Sequence, residues 1–94
     1  MKVHISIDQD SIRINETLTG ANADAIVAAV KARVLRELPF AARLVVGGMS
    51  PLSFSQEVVR QYNRSRNKTL ALPASCADFL TLAQQEGFAR IESE

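Results

Sequence analysis

The chain has 94 residues, of which 47% are hydrophobic and 22% charged, and its formal net charge is +1. This describes one small domain, residues 1–94, too apolar for disorder and too near neutrality for a global pull towards nucleic acid or lipid. A single cysteine, Cys76, and a single histidine, His4, exclude an intrachain disulfide and a Cys- or His-rich metal centre, so neither a metal nor a cofactor is expected. Apolar runs fall well short of the ~20 residues that span a bilayer, and the N-terminus alternates instead of forming an apolar leader. A cytoplasmic protein with no membrane span is the expectation.

Val3, Ile5 and Ile7 alternate with His4, Ser6 and Asp8, a period of two that marks a strand with one wet face. Asp8-Gln9-Asp10-Ser11 has turn chemistry, and Ile12-Arg13-Ile14-Asn15 resumes the alternation, so a β-hairpin is expected. His4 falls on the polar face. Asn22 is the expected N-cap of a helix over 23–38, with Asp24 in its first turn and Ile26, Val27, Val30, Val34 and Leu38 on one stripe. Lys31, Arg33 and Arg36 face away from that stripe. Pro39 ends the helix, because it biases Leu38 away from the α region.

Leu44-Val45-Val46 is short, branched and apolar and runs into Gly47-Gly48, which favours a buried strand. A helix begun by Pro39 and ended by Gly47 is the alternative. Ser53-Phe54-Ser55-Gln56 matches a capping box, with Ser53 as N-cap of a helix to about residue 65. Thr69-Leu70-Ala71-Leu72 resembles a further buried strand closed by Pro73. Ser75 then caps a helix that buries Phe79, Leu80, Leu82 and Ala83 and stops at Gly87. Phe88-Ala89-Arg90-Ile91 is a candidate last strand. The order is β-β-α-β-α-β-α with this optional final β, an α/β fold with a mixed, mostly parallel sheet.

In such a sheet, ligands gather beyond the carboxyl ends of strands, which here assembles the 47–52 loop with Ser53 and Ser55. A helix N-terminus there favours an anion or a phosphate carried on a serine. The loop lacks the Gly-Lys-Ser/Thr ending of a phosphate-binding loop, so nucleotide binding is not supported. Arg60, Arg64, Arg66 and Lys68 form a basic cluster suited to nucleic-acid phosphates, or simply a solvated helix end. Cys76 sits among apolar helix positions, carboxylates are scattered, and no nucleophile–base pair stands out, so no catalytic residue is assigned.

The element order resembles that of STAS domains, the small modules of bacterial anti-sigma-factor antagonists. The resemblance lies in residues 12–22 as second strand and lead into the first helix, and in Leu44-Val45-Val46 followed by a loop into Ser53-Phe54-Ser55. The closing β-α unit, Thr69-Leu70-Ala71-Leu72 with Pro73-Ala74-Ser75 and a helix ending at Glu86-Gly87, completes it. It implies a non-enzymatic regulatory module that binds a protein, such as a kinase, an anti-sigma-like factor or a larger complex. Gly47, Gly48, Met49, Ser50, Leu52, Ser53 and Ser55 would face that partner within a strand-loop-helix unit at 47–58, with Ser53 or Ser55 the phosphorylated switch. The contrasting expectation is a winged-helix nucleic-acid binder using the 60–68 cluster. Strands at 44–46 and 69–72 favour the first; helix or coil there favours the second.

Overall fold

The computed structural model describes residues 1–9 and 12–93. It places three strands and four helices in the order β1 (Lys2–Gln9), β2 (Ile12–Thr19), α1 (Ala23–Leu35), α2 (Phe40–Gly47), α3 (Pro51–Arg66), α4 (Cys76–Glu86) and β3 (Ala89–Ser93). β1 is the middle strand: it pairs antiparallel with β2 on one side and antiparallel with β3 on the other. The expected hairpin and last strand are present, while residues 10 and 11 of the expected turn lie outside the described residues.

One face of the sheet is buried and the other is wet. Val3, Ile5 and Ile14 point into the core, where Ile26, Val27 and Val30 of α1, Phe54 and Val59 of α3, and Phe79, Leu80 and Ala83 of α4 meet them. Each side chain buried to this degree contributes roughly 1.5–3 kcal/mol relative to exposure. On the wet face His4 is held between Asn15 Oδ1 (2.7 Å) and Thr17 Oγ1 (3.0 Å), cross-strand neighbours set by the β1–β2 register.

Local capping follows the sequence at two helix starts. Asn22 accepts the Ala25 amide (2.9 Å), and Ser75 accepts that of Asp78 (3.1 Å). Gly87 ends α4 at φ 90, a left-handed conformation that glycine adopts without a Cβ penalty. Gly20 is held for a different reason, since a Cβ there would lie 2.9 Å from that of Ala25.

The sheet departs from the expected mixed, mostly parallel arrangement. Leu44-Val45-Val46 belongs to α2, whose N-cap is Pro39 and whose C-cap is Gly48. Seven residues separate Pro39 from the Gly47-Gly48 pair, enough for two helical turns, and Ala41, Ala42, Arg43 and Leu44 all favour helix. Residues 69–72 form no strand. The Asn63 carboxamide donates to the Leu70 carbonyl (3.0 Å) and accepts from the Leu70 amide (3.1 Å), satisfying both backbone groups as a neighbouring strand would. With these two segments outside the sheet, every strand pairing among the described residues is antiparallel.

Replacing Asn63 by Ala orphans both backbone groups of half-buried Leu70. The expected cost is about 1–3 kcal/mol in chemical denaturation, with faster amide exchange confined to residues 68–72.

Candidate functional site

The segment singled out from the sequence, residues 47–58, is the turn between two helices together with the first half of α3. α3 begins earlier than the capping box suggests: Ser50 is the N-cap, its Oγ accepting the Ser53 amide at 3.1 Å, and Pro51 takes the first helical position. Proline suits that position because its fixed φ is helical and its missing N–H has no partner there. Ser53 therefore sits inside the first turn, exposed, and no hydrogen bond engages its hydroxyl among the described residues. Ser55 is fully buried and its Oγ donates to the Leu52 carbonyl at 2.7 Å. Ser53 is thus open to solvent, whereas Ser55 is closed off within the helix.

Gly47, Gly48 and Ser50 are exposed, while Met49 and Leu52 lie half-buried against the core. Lys31, which the helical stripe merely turns outward, fixes this turn. Its ammonium reaches from α1 to the carbonyls of Gly47 (3.2 Å) and Met49 (2.6 Å). The Gly47 carbonyl ends α2, where a cation is favoured by the helix dipole and fills an acceptor that lacks an intrahelical donor, and the Met49 carbonyl lies in the turn beyond it.

The apolar face of α2 was hidden in the sequence by reading 44–46 as a buried strand. No residue of α2 is buried, and Phe40, Leu44 and Val45 are 72%, 68% and 66% exposed. At about 100° per residue, Phe40, Ala41, Leu44, Val45 and Gly47 fall within an outward arc of about 160°. Ala42 and Val46, on the opposite side, are half-buried. Beside α2 runs a groove of ≈ 510 Å³ lined by Ile7, Val34, Leu38, Val46, Phe54 and Val58 among others, with Glu57 its one charged wall. A helix apolar on both sides is normally covered on both.

The basic cluster does not assemble into a free phosphate-binding surface. Arg60 pairs with Glu57 (3.0 Å), and Lys68 pairs with Glu86 (2.6 Å), which also accepts the Tyr62 hydroxyl (3.0 Å). Arg66 and Lys68 both lie over the Tyr62 ring, at 5.7 and 5.6 Å from its centroid. Lys68 first, then Tyr62, holds the Glu86 carboxyl below the usual carboxylate range, and Glu86 in turn raises the Lys68 ammonium. Helix at 44–46 and coil at 69–72 agree with the winged-helix expectation, but three of its four cations are engaged within the chain. The strand after α4 is an edge of the main sheet and not a free wing.

Little supports catalysis. Cys76 is buried, and desolvation followed by the Asp24 carboxylate pushes its thiol up to about 11, leaving it protonated at neutral pH. No group of three or more His, Cys, Asp or Glu side chains among the described residues is placed to hold a metal. No helix among them is long and apolar enough to cross a membrane.

Two outcomes test this geometry. Lys31→Met frees the α2 end, so amides of 47–50 should exchange faster while the global stability falls by only about 1 kcal/mol. Lys68→Met should destabilise the chain between pH 4.5 and 10.5, the ordinary values of the two partners. The lowered carboxyl of Glu86 gives stability that is lost as pH falls through its folded value; the raised Lys68 loses its share as pH climbs through its own. Thermal melts of variant and wild type should therefore converge below the Glu86 transition.

Comparison with protein-family models, with curated proteins and with solved structures finds no match, so the functional reading rests on the chain's own surface.

Proposed function

We propose that this chain is a non-enzymatic protein-interaction module whose partner-facing surface is α2, the 47–50 turn and the exposed start of α3. The observation that carries this is the outward face of α2, with three large apolar side chains more than half exposed on one short helix. Isolated exposed apolar residues are ordinary, whereas a contiguous patch beside an apolar groove marks a surface that another molecule covers. The expected partner surface at 47–58 is kept and extended towards residue 40. The part of the regulatory expectation retained is Ser53 alone, because a phosphate there adds charge beside the helix N-terminus and the apolar face without disrupting the core. Of the segments that carried the resemblance to STAS domains, 12–19 is strand, 44–46 is helix and 69–72 is coil, so the proposal is argued from the surface alone.

A photo-crosslinking amino acid placed at Phe40 in the producing cells gives the direct test. Protein adducts are expected, lost with Leu44→Asp, which faces solvent and should change stability by no more than about 0.5 kcal/mol. Ser53→Asp should alter adduct yield if the serine is a switch. Absence of any protein adduct, a second copy of the chain included, would rule out the interaction reading.

A further inference from the structure

From the knob and the groove that adjoin on one face, we infer that the occupant of the α2 surface is a second copy of this chain, each copy seating its α2 in the other's groove. The inference rests on the interaction reading above and names its partner. Both halves of the contact are present on a single molecule: Phe40, Leu44 and Val45 project, and the ≈ 510 Å³ groove lies directly beside them, with Val45 contributing to both. A surface holding a projection and its receptacle side by side is self-complementary, which is what a two-fold interface requires.

Charge agrees with this occupant. The groove has one charged wall residue, Glu57, whose carboxylate already accepts from Arg60 (3.0 Å) and Gln61 (2.8 Å) and keeps lone pairs for a further donor, and α2 has one charged residue, Arg43, on the flank of its outward arc. Arg43 Nε is held only by the Leu38 carbonyl (3.1 Å), so its remaining guanidinium donors are open to a carboxylate. Seating α2 in the partner groove brings Arg43 of each copy towards the Glu57 wall of the other, twice over. A chain with net charge +1 meets little repulsion from its copy.

Size sets the expected strength. α2 is eight residues, about 12 Å long, and a standard interface removes roughly 800 Å² from each partner, about one-seventh of the 5555 Å² surface here. Two short helices in two grooves therefore fit an interface at the small end of the stable range.

Sedimentation velocity of the full chain across a concentration series tests this. The expected result is a shift to twice the monomer mass as concentration rises, and a monomer at every concentration for Leu44→Glu, with circular dichroism unchanged. Arg43→Glu and Glu57→Arg should each weaken association about tenfold or more, and the two together should restore it, a rescue that general loss of folding does not produce. A wild-type chain monomeric throughout, or a dimer indifferent to Leu44→Glu, overturns the inference. So does a monomer retaining a small apolar molecule in native mass spectrometry. If crosslinks from residue 40 then reach only other proteins, the second copy is excluded and the interaction reading stands. If they reach none, both fall.

Discussion

The structure depends on β1 being paired along both edges. Val3 and Ile5 have almost no exposed surface, and they reach that state because β2 flanks them on one side, β3 on the other, and the helices cover one face. A two-stranded hairpin alone is marginal in water; the third strand and a helical cover make it stable. α1, α3 and α4 are arranged by this face, since each contributes large apolar side chains to the same cluster. α2 contributes no buried residue. The part of the chain freest of the core is thus the part that leaves large apolar side chains exposed.

The partner surface and the hydrophobic core obey one rule with different outcomes. Apolar area is favourable to bury wherever something can cover it. α1 finds its cover inside the molecule, whereas the outward side of α2 does not. Half-buried Leu38, Val46 and Met49 pack α2 and its flanks against the core, and the Lys31 ammonium adds a polar anchor on the carbonyls of Gly47 and Met49.

The hairpin, three of the four helices and the caps at Asn22, Ser75 and Gly87 were legible in the sequence because each has a local cause. Alternation, a helical stripe, a side-chain acceptor and a left-handed glycine act over a few residues. The errors arose where the deciding partner is remote or where two local rules compete. Leu44-Val45-Val46 has strand composition, yet Pro39 and Gly47 set a length that suits two helical turns, and no strand lies close enough to pair with it. Leu70 was taken for strand because the composition cannot show that Asn63, seven residues earlier, supplies its hydrogen bonds. Of the candidate site, the helix start was legible but its capping only partly so. Ser50, one turn earlier than Ser53, is the cap, and Ser55 is spent within its own helix. Lys31 has no sequence signal beyond its outward position.

Because β1 comes first in the chain and β3 last among the described elements, the middle strand waits through synthesis of the whole helical segment for its second neighbour. At 5–20 residues per second, about 80 residues separate the two, so an unpaired edge persists for roughly 4–16 seconds on the ribosome. The hairpin can form early, but the edge that β3 will occupy remains available to any extended segment nearby until then. The wet face carrying His4, Asn15 and Thr17 keeps one side of that nascent hairpin hydrophilic, which limits sheet-on-sheet stacking during the interval.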